Sequence, residues 1–522
     1  MLQSRPRTLV DLLEQRCALA PPQPAFIWDD QPFSYEALWG GVSRFAVLLR
    51  DLGVARGDRV LIRLANGPDF FQAFYGALRA GAIAVPLFPA SGPERVAALS
   101  RMCGARIVVV PGAGGGEVSE LRAVSVADSA NCETHGTFPA VSAEDIAFLQ
   151  YTSGSTGTPK GVMLSHQGLL TNLGQLIAGM TITASDCFVS WLPVYHDMGL
   201  ILMTMVPFAL GAKLVLLPTT LANPRPWLVA IQRYGGTLTA APDFAYRLAL
   251  RYVRDPSAYD LSSLRLALNA AEPVRPHTIE EFERAFSLRD VLIAGYGLAE
   301  ATVGVSTWTP GTAALVDARG VVSVGRPFPA IDIQIIEQDE PVAAGIIGEI
   351  AVRSPANTRG YYNDPEETAR LFWRDSYIRT GDLGYLDAEG HLFITGRIKN
   401  IIKHGGETIF PQEAEQIADA LPFVRRSAAV GIDSGGPEGE QLYLFAELFK
   451  AGGHAEAELQ NAAVEVVQAI HAQLGIRPGR VYLLLPHSIP LTPNGKTQHA
   501  ALRDGYLSGG LRGRKAILFP EY

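Results

Sequence analysis

The sequence predicts an α/β protein with a large N-terminal domain of layered, largely parallel sheets and flanking helices, followed by a small α+β domain. Two observations lead to this prediction. Short apolar runs, typical of strands buried on both faces, alternate with amphipathic helical patterns through the first three quarters of the chain. Near residue 396 this alternation gives way to a shorter, mixed pattern. The 522 residues have room for one large and one small unit.

Each element of the first region follows from the spacing of its apolar residues. Helical spacing that ends at Gly53 predicts a helix over residues 34–52, and the same pattern predicts a helix over 68–79. Residues 198–210 predict a buried helix, because this apolar run is shorter than the roughly 18 residues of a membrane span. The predicted strands are residues 59–64, 84–87, 106–110 and 146–151.

The C-terminal region predicts a separate, smaller domain. We place the boundary so that residues 1–398 form the large domain and 399–522 the small one, with Lys399 at the junction. Within the small domain, helices are predicted over residues 411–420 and 456–474, and strands over 428–432, 441–447 and 481–485.

Composition excludes several classes of function. The net charge of −8 gives no basic surface for nucleic acid or for an anionic membrane, so neither partner is expected. The four cysteines show no CxxC spacing, which argues against a zinc site or a disulfide framework and fits a reducing compartment. The first residues lack the apolar core of a signal peptide. We expect a cytoplasmic protein without a membrane span.

The strongest motif is a loop of small and hydroxyl residues between a strand and a helix. Backbone N–H groups and hydroxyls in such a loop can surround an anion, and a lysine adds positive charge, so the loop predicts a polyphosphate site. It is not a Walker A loop, because Pro159 precedes the lysine and Gly161 follows it. The predicted nucleotide-binding residues are Thr152, Ser153, Gly154, Ser155, Thr156, Gly157 and Lys160.

This loop resembles the phosphate-binding loop of the adenylate-forming superfamily, which includes acyl-CoA synthetases, fatty acyl-AMP ligases, nonribosomal adenylation domains and luciferases. Further motifs of the superfamily recur in order along nearly the whole chain. The segment 191–200, WLPVYHDMGL, resembles fatty acyl-AMP ligases most. In that family the histidine at the position of His196 lies beside the acyl and adenylate pockets, although a buried structural histidine would show the same letters.

The resemblance also implies an acyl pocket and an adenine loop. Residues 241–246 resemble the segment that lines the carboxylate substrate, and residues 269–273 resemble the loop against adenine. The implied substrate-pocket residues are Trp191, Asp243, Phe244, Tyr246, Gly295 and Leu298, and the implied adenine contacts are Ala271, Glu272 and Pro273. Core packing explains the aromatic members equally well. An ammonium group on the substrate would give Asp243 a partner.

The motif 295–302 combines an aromatic ring, a carboxylate and a hydroxyl. The Tyr296 ring, followed by Gly297, offers a surface on which a base can stack. Glu300 suits Mg²⁺, which prefers few carboxylates together with phosphate oxygens. Thr302 is expected to donate to the α-phosphate. The resemblance therefore implies ATP and Mg²⁺ as cofactors.

The last motifs supply the ribose site, the hinge and two lysines. Asp382 lies in the motif expected to accept hydrogen bonds from the ribose hydroxyls, and Arg397 is expected to approach phosphate. Lys399 would be the hinge about which a mobile C-terminal domain rotates. Lys496 is the expected catalytic lysine of adenylation. Relatives use a lysine at the position of Lys403 in the second half-reaction, although a simple hairpin is an alternative reading.

The resemblance implies that a carboxylic acid attacks ATP, releases pyrophosphate and becomes an acyl-adenylate. The acceptor stays open between a thiol, from coenzyme A or an acyl carrier protein, and an amino-acid amine, as in coronafacate ligase. Residues 321–385 contain no long insertion of the kind that fatty acyl-AMP ligases carry, so more than one acceptor is possible. An inactive nucleotide-binding scaffold and a luciferase-like oxidase are the alternatives from other classes.

Overall fold

The computed structural model describes residues 6–112, 117–118, 120–152, 159–219, 223–374, 376–404, 407–433, 440–450, 452–453, 455–492, 495–513 and 516–519. Parallel strands with flanking helices form most of the chain, which confirms the predicted α/β class with a large N-terminal and a small C-terminal part. None of the helices in these ranges is long and apolar enough to cross a membrane.

The α-helices lie mainly between successive strands. In chain order they are α1 Leu9–Leu19, α2 Tyr35–Asp51, α3 Pro68–Arg79, α4 Pro93–Cys103, α5 His166–Gly179, α6 Val206–Leu210, α7 Arg225–Tyr234, α8 Asp243–Tyr252, α9 Pro276–Ala285, α10 Pro365–Leu371, α11 Pro411–Asp419, α12 Glu456–Leu474, α13 His499–Leu507 and α14 Gly510–Gly513. A π-helix, Met198–Met205, runs directly into α6, and short 3₁₀ turns cover Val126–Ser129, Pro256–Ala258, Ala299–Ala301 and Ile398–Asn400.

In the part of the chain that the structure describes, the strands fall into five sheets. In chain order they are β1 Pro24–Trp28, β2 Gln31–Ser34, β3 Arg59–Ile62, β4 Ile83–Pro86, β5 Ile107–Val109, β6 Glu117–Val118, β7 Leu121–Val124, β8 Ile146–Thr152, β9 Lys160–Ser165, β10 Cys187–Ser190, β11 Lys213–Leu216, β12 Leu238–Ala241, β13 Leu266–Asn269, β14 Leu292–Tyr296, β15 Ser306–Thr307, β16 Arg326–Pro327, β17 Asp332–Glu337, β18 Glu340–Pro341, β19 Gly348–Arg353, β20 Phe372–Trp373, β21 Tyr377–Leu386, β22 Leu392–Arg397, β23 Ile402–His404, β24 Glu407–Ile409, β25 Val424–Asp433, β26 Glu440–Leu448, β27 Arg480–Leu484 and β28 Ile517–Phe519.

Two large sheets build the N-terminal part. Over the described residues, one has the order β16-β15-β14-β13-β12-β10-β11-β1-β2 and the other β6-β7-β5-β3-β4-β8-β9. The central strands β10 to β14 pair in parallel, so their carboxyl ends meet at one edge. Ligands bind at this edge in open α/β sheets. The predicted acyl and adenine motifs begin where β10, β12, β13 and β14 end.

The C-terminal part has its own sheet and its own apolar clusters. Over the described residues its main sheet follows the order β25-β26-β27-β28, with α11 and α12 beside it, and β23 and β24 form a separate hairpin. The largest N-terminal cluster of buried residues runs from Leu9 to Leu392, whereas the C-terminal clusters begin at Ile402. The boundary at Lys399 and the mobility of the C-terminal domain stay predictions.

Most predicted elements agree with the structure within a few residues, and α3 and α12 have the predicted bounds. Two local features differ. The phosphate motif was expected to lead from a strand through a loop to a helix, yet β9 intervenes and pairs with β8 as an antiparallel hairpin. The buried helix over 198–210 is present, but its first part is a π-helix, a form that is frequent at functional sites.

Candidate active site

The strands β8 and β9 form a hairpin, and the phosphate motif is the segment that connects them. Thr152 ends β8 and pairs across the hairpin with Lys160, which begins β9. The Lys160 ammonium forms an ion pair with Glu367 and lies 5.0 Å from the centre of the Tyr361 ring. Because Glu367 accepts this hydrogen bond, its pKa is lowered. The predicted phosphate contacts Ser153, Gly154, Ser155, Thr156 and Gly157 lie outside the described residues.

Tyr361 connects the phosphate lysine to the predicted metal carboxylate. Its hydroxyl donates to Glu300 Oε1 at 2.9 Å, while its ring faces Lys160. Burial and the charge of Glu300 raise the Tyr361 pKa, so the phenol stays a donor at neutral pH. The structure therefore brings Lys160 to the ring and Glu300 to the hydroxyl of the same tyrosine.

Thr302 adopts a strained backbone conformation next to Glu300. Its φ of 75° and ψ of −64°, with the Val303 N–H donating to the Ala301 carbonyl at 3.1 Å, define a γ-turn that is rare for a β-branched residue. The Thr302 hydroxyl is buried and donates to the Ala356 carbonyl. In this conformation the hydroxyl already has an acceptor, so donation to an α-phosphate would require exchange of that bond, and the role predicted for Thr302 stays a prediction.

The predicted ribose and base residues converge on one carboxylate. Asp382 is buried in β21, where its Oδ2 accepts from the Tyr296 hydroxyl at 2.7 Å and its Oδ1 lies 2.6 Å from Arg397 Nε. Asp382 also raises the pKa of Arg397. Burial, together with the charge of Arg397, lowers the pKa of Lys399. Arg397 was expected near phosphate, but in this arrangement it pairs with the ribose carboxylate.

A cavity at the carboxyl edge of the sheet opens to solvent, and the empty space within it and at its mouth is about 510 Å³. It joins the segment after β10, the start of α8, the adenine loop after β13, and one lysine from the C-terminal part. The lining residues are Trp191, Leu192, Pro193, His196, Met198, Gly199, Pro242, Phe244, Ala271, Glu272 and Lys496. The structure thus brings two of the four predicted catalytic residues, His196 and Lys496, to the same cavity, whereas Glu300 and Lys403 do not line it.

The positions of His196 and Lys496 follow from their neighbours. His196 Nδ1 lies 2.6 Å from Asp197 Oδ1, so the ring is fixed by the residue that follows it. Although burial raises the Asp197 pKa, the charges of His196 and Lys496 lower it below its usual value. The turn before Lys496 closes when the Thr492 N–H donates to the Lys496 carbonyl at 2.8 Å. Gly495, at φ 83°, lies so close to Phe244 that a Cβ would be 3.1 Å from the ring.

The adenine loop requires one unusual backbone angle. Ala271 has φ 72°, a region that favours glycine, and it is exposed together with Pro273. The Glu272 carboxylate accepts from the Phe244 N–H, which links the adenine loop to the acyl pocket. Ala271 and Glu272 line the cavity, whereas Pro273 does not.

Several predicted pocket residues instead support the core. Asp243 is fully buried and accepts from Asn269 Nδ2 at 3.0 Å and from Arg275 Nη1 at 2.7 Å, so it does not bind a substrate ammonium. The Tyr246 hydroxyl donates to the Leu268 carbonyl at 2.8 Å, and its ring packs in the core. Neither residue lines the cavity, and both expectations are therefore corrected.

Gly295, Gly297 and Leu298 do not line this cavity, and the two glycines lie where a side chain would collide with its neighbours. A Cβ on Gly295 would lie 2.7 Å from Leu268 Cδ1, and one on Gly297 only 1.7 Å from the Val303 carbonyl oxygen. Leu298 is half-buried and precedes the 3₁₀ turn that carries Glu300. Lys403 lies exposed on β23 and is not part of the cavity wall.

Sequence reasoning missed Tyr361 and Glu367. Both lie in the segment 361–367, where Asp364 caps α10 by accepting from the Glu367 N–H at 3.1 Å. The signal was present, because Asp-Pro followed by two glutamates is a typical helix start. What the letters do not show is that β9 brings Lys160 beside this turn, with the Tyr362 N–H donating to the Gly161 carbonyl.

A cavity at the ends of parallel strands, lined by the predicted adenine and acyl motifs and by a lysine from a smaller C-terminal part, is the arrangement expected of adenylate-forming ligases. Comparison with known proteins agrees with this class. Residues 13–362 match the family of AMP-binding enzymes. The chain therefore belongs to the AMP-binding enzyme family, as the sequence motifs predicted.

Relatives in the family match over nearly the full length. The chain is 32% identical to a 4-hydroxyphenylalkanoate adenylyltransferase of Mycobacterium marinum, covering 96% of this chain and 92% of the relative. It is 29% identical to the medium-chain-fatty-acid–[acyl-carrier-protein] ligase JamA of Moorena producens, covering 97% and 96%. A fatty acyl-adenylate ligase from L. pneumophila, solved with acyl adenylate and pyrophosphate, superposes with a TM-score of 0.73 at 29% identity, covering 98% and 97%.

Proposed function

We propose that this enzyme uses ATP and Mg²⁺ to convert a carboxylic acid into an acyl-adenylate and then transfers the acyl group to a phosphopantetheine thiol. The observation that carries the proposal is the shared cavity. It joins Lys496 of the C-terminal part to His196 and to the adenine-loop residues Ala271 and Glu272 of the N-terminal part. A carboxylate in this cavity would meet the lysine and the nucleotide together.

Charge neutralisation would be the main contribution of the protein to adenylation. Lys496 would approach the α-phosphate and the attacking carboxylate, where negative charge develops in the transition state. Lys160 would neutralise the terminal phosphates, and Asp382 would orient the ribose through its two oxygens. Releasing the Tyr296 hydroxyl and Arg397 from Asp382 would free both oxygens for the ribose hydroxyls.

The residues around Glu300 fit a magnesium ion. One carboxylate held by a neutral phenol, beside a lysine for the phosphates, matches the preference of Mg²⁺ for few protein ligands. When bound, Mg²⁺ would offset the charge of the phosphate oxygens. Within this arrangement Tyr361 orients the Glu300 carboxylate. Lys160 does not pair with Glu300, because its ammonium pairs with Glu367.

The proposed acceptor is a thiol, because JamA, a relative that matches nearly the whole chain, is an acyl-carrier-protein ligase. Rotation of residues 399–522 about Lys399 would move Lys496 away and bring another face of the small domain, including Lys403, to the adenylate.

The purified protein should release pyrophosphate from ATP only when a carboxylic acid is present. Coenzyme A, a phosphopantetheinylated carrier protein or a mixture of amino acids is then added, and each product is identified by its mass. Thioester without amide supports the proposal, whereas amide without thioester refutes the thiol acceptor. Absence of pyrophosphate with every acid would refute adenylation itself.

A further inference from the structure

The described residues of segment 490–498, here called the lysine turn, close on themselves around Lys496. The Lys496 N–H donates to Thr492 Oγ1 at 3.1 Å, and the Gln498 N–H donates to the Pro490 carbonyl at 2.9 Å. These bonds fix the shape of the turn, but they do not attach it to the rest of the C-terminal part. The position of Lys496 in the cavity therefore depends on contacts from outside the turn.

Two charged side chains from outside contact the lysine turn and the residue that follows it. Arg426 Nη1 in β25 donates to the Gly495 carbonyl at 3.1 Å. His499 begins α13 directly after the turn, and its Nε2 lies 2.7 Å from Glu415 Oε1 in α11. The side chains of His499 and Glu415 are 16% and 12% exposed, so this second contact is largely shielded from water.

Glu415 lies on the helix by which the small part contacts the large one. Its Oε1 also accepts from the Ala429 N–H at 2.8 Å, which fixes the carboxylate between α11 and β25. The next residue, Gln416, donates from Nε2 to the Gly320 carbonyl of the N-terminal part at 2.9 Å. The contact between His499 and Glu415 therefore ties the end of the lysine turn to the helix that contacts the large part.

The electrostatic surroundings of His499 favour the protonated ring. Burial lowers the His499 pKa, but the charge and the hydrogen bond of Glu415 outweigh burial and raise the pKa above its ordinary value of 6.5. A hydrogen bond with the Thr497 backbone acts in the same direction, whereas the charge of Lys399 opposes it. The further charged groups on the elements around the ring are Arg426 on β25, Arg503 on α13 and its partner Glu440 on β26.

We propose that His499 is a positioning residue for Lys496, and that its ion pair with Glu415 holds the lysine turn in the arrangement that forms the adenylate. This inference rests on the proposed function. A protonated ring forms a charge-assisted hydrogen bond to the carboxylate, which is roughly twice as strong as the bond of a neutral ring. Loss of the proton weakens the anchor, so adenylation slows as pH rises. Acyl transfer does not slow, because Lys496 has left the site in that step.

The test measures single-turnover, acid-dependent pyrophosphate release by the whole protein as a function of pH. His499→Arg keeps a cation at every pH of the assay, since arginine does not lose its proton. The rate of the unaltered enzyme, divided by that of His499→Arg, should fall by about tenfold as pH rises from 6.5 through the raised pKa of His499. Titration of ATP and of the acid cancels in this ratio.

Glu415→Gln is the second variant, and it keeps an oxygen that can accept from the Ala429 N–H while removing the charge. The His499 pKa should drop without its anion, so the loss of rate should begin at lower pH than in the unaltered enzyme. This shift decides the question if His499→Arg does not fold. His471→Arg is the matched control, because it makes the same replacement at an exposed position of α12 and should leave the pH profile unchanged.

Three results would overturn the inference. The pH profiles of the unaltered enzyme and His499→Arg could coincide, or the profile of Glu415→Gln could show no shift. The third is an equal relative loss in acyl transfer from a supplied synthetic adenylate, which would show that the ion pair stabilises the fold of the C-terminal part. Absence of acid-dependent pyrophosphate release at every pH would instead overturn the proposed function.

Discussion

Four largely buried charges connect the small C-terminal part to the large N-terminal part. Asp419, at the end of α11, forms an ion pair with Arg275 and lies 3.8 Å from Arg247 Nη1. Both arginines also contact Asp243. The two aspartate side chains are fully buried, and Arg275 is 16% exposed. Burial lowers the Arg275 pKa, but Asp419 and Asp243 together raise it above its usual value.

Asp419→Asn removes one charge from this network without a large change in volume. Losing one partner of a buried ion pair costs about 3–5 kcal/mol. We take about 3 kcal/mol, since the amide can still accept one hydrogen bond and Arg275 keeps Asp243. At about 1.4 kcal/mol per tenfold, this shifts the equilibrium between the observed arrangement and one with the two parts separated by about 150-fold. The lost free energy destabilises the observed arrangement and not the separated one, because separating the two parts of the chain returns Arg247 and Arg275 to water.

The assay follows the two half-reactions separately. If the observed arrangement is the one that forms the adenylate, Asp419→Asn should slow acid-dependent pyrophosphate release by up to about 150-fold. Acyl transfer from a supplied synthetic adenylate should not slow. The control is Asp30→Asn, which breaks an ion pair with Arg233 whose side chains are both 55% exposed. Exposed ion pairs contribute little free energy, so the rate of pyrophosphate release should change by less than about fivefold.

Two results would contradict this reasoning. Pyrophosphate release that is unchanged in a folded Asp419→Asn protein would show that the ion pair does not hold the adenylating arrangement. Equal losses in both half-reactions, accompanied by a lower melting temperature, would show that the pair stabilises the fold of the C-terminal part instead.

Three further substitutions test the lysines and one buried histidine. Lys496→Ala should slow single-turnover pyrophosphate release by about 100-fold or more, because the lysine cation stabilises charge in the transition state. ATP binding, measured by calorimetry, should change far less. Equal losses in pyrophosphate release and in ATP binding would contradict this role. Lys403→Ala should spare pyrophosphate exchange and slow acyl transfer. A slowed exchange would contradict a role of Lys403 that is limited to acyl transfer. Burial lowers the His166 pKa from 6.5 to about 4, so the folded state requires the neutral ring, whose Nδ1 accepts from the Leu9 N–H. Stability should therefore be independent of His166 above pH 6.5 and fall by about 3 kcal/mol as pH falls to 4. Urea unfolding of His166→Asn should lack this loss, whereas the exposed variant His277→Asn should keep it.

Local pattern predicts the fold well because burial and helical spacing are properties of adjacent residues. The bounds of α3 and α12 follow from a proline at the start of one helix and a glycine after the other. The hairpin that contains β9 was missed for a related reason. Residues 160–165 are too short for a clear period, and their strand character depends on pairing with β8.

The roles of single charged residues were harder to predict because their partners are distant in sequence. Asp243 follows a buried strand, where substrate-binding carboxylates are common, yet Arg275 is 32 residues away and turns it into a core ion pair. Lys160 meets Glu367 across 207 residues, and Tyr296 meets Asp382 across 86. No local pattern shows which of two carboxylates will face the cavity and which will face an arginine.

The spacing of the motif 297–302 has a physical origin that only the backbone shows. Thr302 at φ 75° costs about 1–3 kcal/mol, and its hydroxyl bond to Ala356 helps to offset that cost. The turn it forms carries the Val303 carbonyl to within 1.7 Å of where a Cβ on residue 297 would be. Residue 297 must therefore be glycine as long as the turn is present. Glu300 lies between these two constraints, so the strain at Thr302 and the glycine at 297 together fix the carboxylate proposed to hold Mg²⁺.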